Sequence, residues 1–449
     1  MNFEKFIYKK ISLWILILTI LISILFSIFF GSMVLRSNSA KSIARIPDNI
    51  KKLLVKSDDD FIGGDKNNFK NKTGLNKNNN FKNSLTGFIL LSKYDHDERR
   101  SYVELINIKS GNVIHTWKPD IKKINSLSNL PKNFINVERD NSPNRYRMFH
   151  PYLDLNGSLI THSESPLIKI DLCSKLEWHV DGGFHHSNEK DHEGNIWVPA
   201  WSFPVKTKGV NLDINENDLS QNMNFFHDDE LVKLSSDGKV LFRKTVISIL
   251  KENNLENLIF PIGQNKDPLH LNDIEPVISN SDYWKKGDVF VSLRNISMVF
   301  LYRPNNNKVL WYRQGPRVFQ HDVDVISDSK ISVFDNNLDN FTKSRVDGAS
   351  SIVIFDFEKN DISRPYDKAF LKNDIFTMTG GLHTILENDD VFVESRDSGR
   401  LVRIDKMGNI KWEYINRASN NNIYLLNWSR YYKSLNENIL KKIKNKNCD

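Results

Sequence analysis

The segment DPLHLNDIEPVISNSDYWKKGDVFVSLRN, residues 267–295, gathers a histidine, an amide and a guanidinium: His270, Asn272 and Arg294. His270 and Asn272 stand two apart on an expected strand and share a face, and Arg294 closes the next strand one hairpin away. The three are expected to converge. One blade-length further on, QHDVDV (320–325) presents His321, with Asp322 and Asp324 alternating around Val323. A guanidinium, an amide and two imidazoles facing one pocket suit an anion of trigonal or tetrahedral oxygens, such as sulfate or phosphate. A histidine is also a nucleophile toward such a centre, provided that a second one, with an ordinary pKa of about 6.5, moves the proton.

These residues belong to a repeat. Histidine-headed segments begin at His150 (HPYLDLNGSLITHS), His185 and His186 (HHSNEKDHEGNIWVPAW), His270, His321 and His383 (HTILENDDVFVESR), each running through a polar turn into an apolar strand. Between them lie six expected β-hairpins, at 103–117, 167–178, 231–242, 299–311, 351–362 and 401–414, in which β-branched runs flank a polar or glycine turn. The recurrence fits propeller blades, and the count gives an all-β, six-bladed β-propeller. A residue repeated at the start of the same strand points at the same axis, so the histidines are expected to ring a central channel. Trp117, Trp178, Trp311 and Trp412 end hairpin strands and are expected to pack blade against blade. The strand near 87–94 is expected to close the ring by pairing with the last blade.

The charge balance does not point to nucleic acid. The formal net charge is +7, but the first 86 residues hold all the excess and the remainder is close to neutral. No zinc-finger, basic-region or RNP pattern is present. Residues 14–35 form an uncharged apolar run long enough to cross a bilayer as a helix, and too long for the apolar core of a cleaved signal peptide. Lys5, Lys9 and Lys10 favour a cytoplasmic N-terminus. The expected organisation is a cytoplasmic stub (1–13), a transmembrane anchor (14–35), a disordered Asn/Lys-rich linker (36–86) and a propeller (87–449) on the periplasmic, extracytoplasmic side of the cell membrane. The final LNENILKKIKNKN reads as a short basic helix or frayed tail. Cys173 and Cys448 are the two cysteines, one in a hairpin turn and one beside the C-terminus, and their positions give no reason to pair them.

At HLNDIEP with the following SLRN, and above all at QHDVDVISDSKISVFDNN, the sequence resembles the bacterial arylsulfate sulfotransferases, periplasmic six-bladed propellers that move sulfuryl groups between phenols. The resemblance covers roughly residues 140–415 and is strongest over 225–340. It implies a transiently sulfated channel histidine, His321 by motif, with His270, Asn272 and Arg294 holding the sulfuryl oxygens. It also implies a further histidine from an earlier blade, for which His186 of the pair His185–His186 is the best match and His227 (in FFHDDELVKL) the rival. The implied reaction is double displacement from an aryl sulfate to a phenol, with no nucleotide sulfate donor, cofactor or metal; no Walker or Rossmann motif is present. His383 joins Asn272 and His227 as an expected substrate-binding residue. Two other readings compete: a metal-binding propeller using the histidines with Asp322, Asp324 or Asp273, which Arg294 opposes, and a non-catalytic, membrane-tethered propeller that binds a ligand or partner.

Overall fold

The computed structural model describes residues 13–36, 63, 68–69, 72–129, 140–202, 228–259, 267–316, 319–338 and 348–448. The chain divides into two units, Met1–Asp60 and Phe61–Asp449. In the first, the apolar run forms a helix over Leu13–Arg36, in which the hydroxyls of Thr19, Ser23 and Ser27 each donate to the carbonyl four residues earlier at 2.8 Å. Its described side chains, 14–27, are exposed. Among the described residues no helix is long and apolar enough to cross a membrane, so the crossing expected over 14–35 is not a finding of the fold.

The second unit is a six-bladed propeller, each blade an antiparallel sheet of four or five strands. All six expected hairpins are present as the two strands that follow the first pair of each blade, for example Met298–Arg303 with Lys308–Gln314. The histidine-headed segments supply inner strands: Phe149–Leu153, Glu189–Lys190, Leu271–Pro276, His321–Ser327 and Leu382–Ile385. The sixth inner strand comes from the far end of the chain. Arg430–Tyr432 pairs with Phe88–Asp95. Closure is therefore made within the first blade, not by residues 87–94 joining the last one, because the C-terminal strand supplies the missing edge partner.

The linker expected over 36–86 is corrected at its end. Gly74–Lys77 is a fifth strand on the last blade, in register with Trp412–Ile415, and Leu75 packs beside Trp412 and Tyr414. Four residues reading GLNK carry no alternation; the strand exists because an open edge offers it hydrogen bonds. Asn78 continues the attachment, its Nδ2 donating to Ile410 O and its N–H to Lys411 O. The rest of the linker, apart from Arg36, Gly63, Asn68, Phe69, Lys72, Thr73 and residues 78–86, lies outside the described residues.

Apolar side chains from facing sheets make the core between blades. Trp117 and Trp412 are fully buried, Trp178 packs over the turn at Gly238 of the next blade, and Trp311 lies 5.1 Å from Phe355 of the next blade. The C-terminal helix, Glu437–Lys444, is docked by Ile439 and Ile443, four apart and both buried among blade 1 and blade 2 residues. Docking carries Cys448 to the turn of the second blade's hairpin, where it forms a disulfide with Cys173 across 275 residues of sequence. The bond closes a long loop in the unfolded chain, so Cys173→Ser is expected to cost roughly 2–4 kcal/mol. Thermal unfolding with and without reductant checks this: reduced wild type should match the variant, and an unfolding temperature insensitive to reductant would contradict it.

Candidate active site

Three of the histidine-headed strands deliver imidazoles to one place. One ring nitrogen from each of His186, His270 and His321 lies within 4.8 Å of the other two. The His186 ring is 5.0 Å from that of His270 and 6.1 Å from that of His321. His186 and His270 have left-handed backbones, φ 60° and 55°, which aim their rings out of the strand alternation. Trp428, likewise left-handed at φ 64°, stands edge-on to the cluster, 5.9 Å from His186 and 6.0 Å from His321.

The partners behind the three rings differ, and they set what each ring can do. His321 Nδ1 meets Asn336 Oδ1 at 2.6 Å. The Asn336 amide is fixed, since its Nδ2 donates to Thr377 O at 3.0 Å and Gly380 O at 2.8 Å; its oxygen therefore faces the ring, and His321 Nδ1 is the donor. That leaves the Nε2 lone pair of His321 for the pocket. Burial, and next the Arg294 charge, hold His321 well below the usual histidine range, so it stays a neutral nucleophile at physiological pH. His270 Nδ1 is bonded to the Asp267 carboxylate. With Nδ1 engaged by that carboxylate, Nε2 is the nitrogen left for proton transfer in the pocket. His186 Nδ1 lies 2.8 Å from His185 Nδ1. Burial, with the charges of His270, His185 and His321 adding, holds His186 well below the usual range.

Arg294 follows the strand that pairs with Leu271–Pro276, and its backbone N–H donates to His270 O at 3.0 Å. Its guanidinium lies 4.3 Å from the centre of the Phe319 ring and donates through Nη1 to Asn295 Oδ1 at 2.9 Å. Burial lowers the guanidinium to about 10, which leaves it a cation at neutral pH. The structure thus brings together His186, His270, His321 and Arg294.

The other expected site residues are Asn272, His383 and His227. The pairing of Leu271–Pro276 with Val289–Leu293 is irregular between Leu271 and Asp273, so the rule that residues two apart share a face fails there. Asn272 is fully buried and its Nδ2 donates to Gln320 O at 2.7 Å, joining two blades, while its Oδ1 has no hydrogen-bond partner among the described residues. His383 is also buried, with Nδ1 on Asp322 Oδ2 and Nε2 on Ser332 Oγ, both at 2.7 Å; its ring is spent on structure. His227 lies outside the described residues. His150 is structural as well, its Nδ1 accepting the Asn188 N–H. Asn336, Asp267 and Trp428 were not singled out from sequence; the VFDNN end of the His321 segment was the one available signal for Asn336.

Two sets of side chains have the spacing of a metal site. The three imidazoles offer a donor set for a borderline transition metal, but the Arg294 cation that acts on His321 opposes a second cation there. Asp322, Asp324 and His383 also converge within 4.8 Å, but both ring nitrogens of His383 are engaged. Burial raises Asp322 to about 8.

No curated protein matches the chain. Among solved structures, a protein of unknown function from Bacteroides caccae is similar over 73% of this chain and 94% of its own, at 13% identity and a TM-score of 0.45. Virginiamycin B lyase from Staphylococcus aureus matches over 60% and 70% at 13% identity and a TM-score of 0.33. TolB from Acinetobacter baumannii matches over 77% and 67% at 9% identity and a TM-score of 0.41. Scores this low carry nothing about function. The sequence model of the arylsulfotransferase (ASST) family, in contrast, matches residues 155–417, more than half of the chain and a span that holds all three clustered histidines and Arg294, and the chain belongs to that family.

Proposed function

We propose that the protein transfers a sulfuryl group from an aryl sulfate to a phenol through a covalent sulfo-histidine at His321, without a nucleotide sulfate donor. The observation that carries this is the fixed tautomer of His321: Asn336 takes its Nδ1–H and leaves an unprotonated Nε2 beside the Arg294 cation and two further imidazoles. In the first step His321 Nε2 attacks sulfur while the S–O bond to the aryl group breaks, and the departing phenolate takes a proton from the His270 imidazolium. Arg294 stabilises the sulfuryl oxygens as their charge is redistributed. In the second step a phenol gives its proton back to His270, neutral after the first step, its oxygen attacks the same sulfur, and the S–N bond returns its electron pair to His321.

A chromogenic aryl sulfate with an added phenol tests the assignment. His321→Asn should abolish turnover, and Arg294→Ala should lower it on the order of a hundredfold, the scale of losing one stabilising group for developing charge. Wild-type turnover in His321→Asn would contradict the proposal. A metal-binding propeller is the second reading, favoured by the spacing of the imidazoles; it requires activity or stability that chelators remove and added metal restores.

The helix over Leu13–Arg36 is read as a single-pass anchor that holds the propeller outside the cytoplasm. Its apolar sequence, uncharged up to Arg36, supports this, as does the Cys173–Cys448 disulfide, a bond that persists in oxidising compartments. The full chain should stay with membranes through an alkaline wash, and a chain starting at residue 61 should be released. A full chain recovered in the soluble fraction would overturn the anchor.

A further inference from the structure

Two blades end their second strand on the same signature. DVFVSLRN (288–295) in the fourth blade carries Arg294, and DVFVESRD (390–397) in the sixth carries Arg396 at the equivalent place, one residue past the strand Val391–Ser395. Each arginine donates through Nη1 to the side chain that follows it: Arg294 to Asn295 Oδ1 at 2.9 Å, Arg396 to Asp397 Oδ1 at 2.8 Å. The change from amide to carboxylate separates their roles. Asn295 leaves the Arg294 charge standing, whereas Asp397 neutralises the buried Arg396.

What the second pair holds is the turn Thr377–Gly381. The Asp397 carboxylate accepts the Thr379 N–H at 2.7 Å and the Thr379 hydroxyl at 2.9 Å, Arg396 Nη1 donates to Thr379 Oγ1 at 2.8 Å, and the Asp397 N–H donates to Thr377 Oγ1 at 3.1 Å. Gly380, at φ 62°, lies so close that an added Cβ would come within 2.5 Å of Arg396 Cδ. This turn presents Thr377 O and Gly380 O to the fifth blade, where both accept from Asn336 Nδ2. A flipped Asn336 would set its oxygen against those two oxygens and its N–H against His321 Nδ1, which favours a ring protonated at Nε2 and unable to attack. Phe319 O, at 3.2 Å from His321 Nδ1, is the longer of the two contacts that take the ring proton; Asn336 Oδ1, at 2.6 Å, is the shorter.

We infer that Asp397, with Arg396, is a positioning residue for the nucleophile: it fixes the Thr377–Gly381 turn of the sixth blade where its carbonyls orient Asn336, and through Asn336 it keeps His321 in the Nδ1–H tautomer. The inference rests on the sulfuryl-transfer reading above and deepens it. Asp397 moves no proton and touches no substrate, and His270 remains the one acid and base of both half-reactions.

The test uses the full-length protein and two readouts. The first does not depend on activity: imidazole nitrogen NMR of protein with labelled histidine, with the His321 signal assigned by its loss in His321→Asn. Wild type and Asp397→Asn, which keeps an acceptor for Thr379, should show His321 as the Nδ1–H tautomer, and Asp397→Ala should add an Nε2–H population. An unchanged tautomer in Asp397→Ala would overturn the inference. The second readout is single-turnover sulfation of the enzyme. Asp397→Ala should slow it on the order of tenfold at saturating aryl sulfate, with the half-saturating concentration little changed because Arg294 is intact, and Asp397→Asn should recover most of the loss. In an Asn336→Leu background the same substitution should cost almost nothing more, because the group through which it acts is gone. Equal slowing in both backgrounds would mean that Asp397 only supports the fold, and would overturn the inference. Should Asp397→Ala fail to fold, Thr379→Val, which removes the hydroxyl bonds and keeps the N–H bond, is read in the same two ways. A wild-type enzyme that is never sulfated would defeat the underlying reaction, while the tautomer measurement would still decide the role of Asp397.

Discussion

The site depends on a belt of buried polar groups by which each inner strand hangs from the blade before it. Asp229 of the third blade holds the Leu271 N–H of the fourth, and Asp273 of the fourth holds Val323 of the fifth at 2.6 Å. Asp322 of the fifth holds His383 of the sixth, and Glu394 of the sixth holds Trp428 and Ser429, which lead into the closing strand of the first. From there Asn427 O accepts the His150 N–H of the second blade, and His150 Nδ1 accepts the Asn188 N–H of the third. The belt closes. Burying carboxylates is costly, as the rise of Glu394 to about 7 and Asp322 to about 8 by burial shows, and the backbone N–H groups they accept partly offset it. The strained backbones of His186, His270 and Trp428 persist because the surrounding strands are fixed in this way.

On that frame, chemistry is distributed by the groups behind the rings. Three histidines share a pocket, yet an amide stands behind His321, a carboxylate behind His270 and a second imidazole behind His186. Either acceptor fixes a tautomer, but the carboxylate brings a full negative charge to its ring and the amide oxygen does not. The same ring is thereby suited to nucleophilic attack in one place and to proton transfer in another. Arg294, stacked on Phe319, supplies the fixed positive charge for an anionic ester.

Much of this was legible in the sequence. The hairpins declare themselves by β-branched runs around polar turns, and the histidines by their place at the head of an inner strand, which is why His270 and His321 stood out, with Arg294 one hairpin on, while His186 was matched by resemblance beside its rival His227. What was not legible depends on backbone irregularity or distant pairing. An irregular register at Leu271–Asp273 turns Asn272 inward, which no count of alternating residues reveals. His383 carries the same motif as His321, but Asp322 and Ser332 engage both its nitrogens. Asn336 and Asp267 act through a hydrogen bond to a ring rather than through their own position, and Gly74–Lys77 is a strand only because an edge more than three hundred residues away receives it.

The central claim is that sulfur is held covalently by His321 between donor and acceptor. Mass spectrometry of the protein, quenched during turnover of an aryl sulfate and digested under conditions that preserve the labile S–N bond, tests it most directly. The account predicts a sulfuryl adduct on the peptide containing His321, accumulating without phenol and discharged when phenol is added. Rapid turnover with no adduct on His321, or an adduct on another residue that phenol discharges, would contradict it.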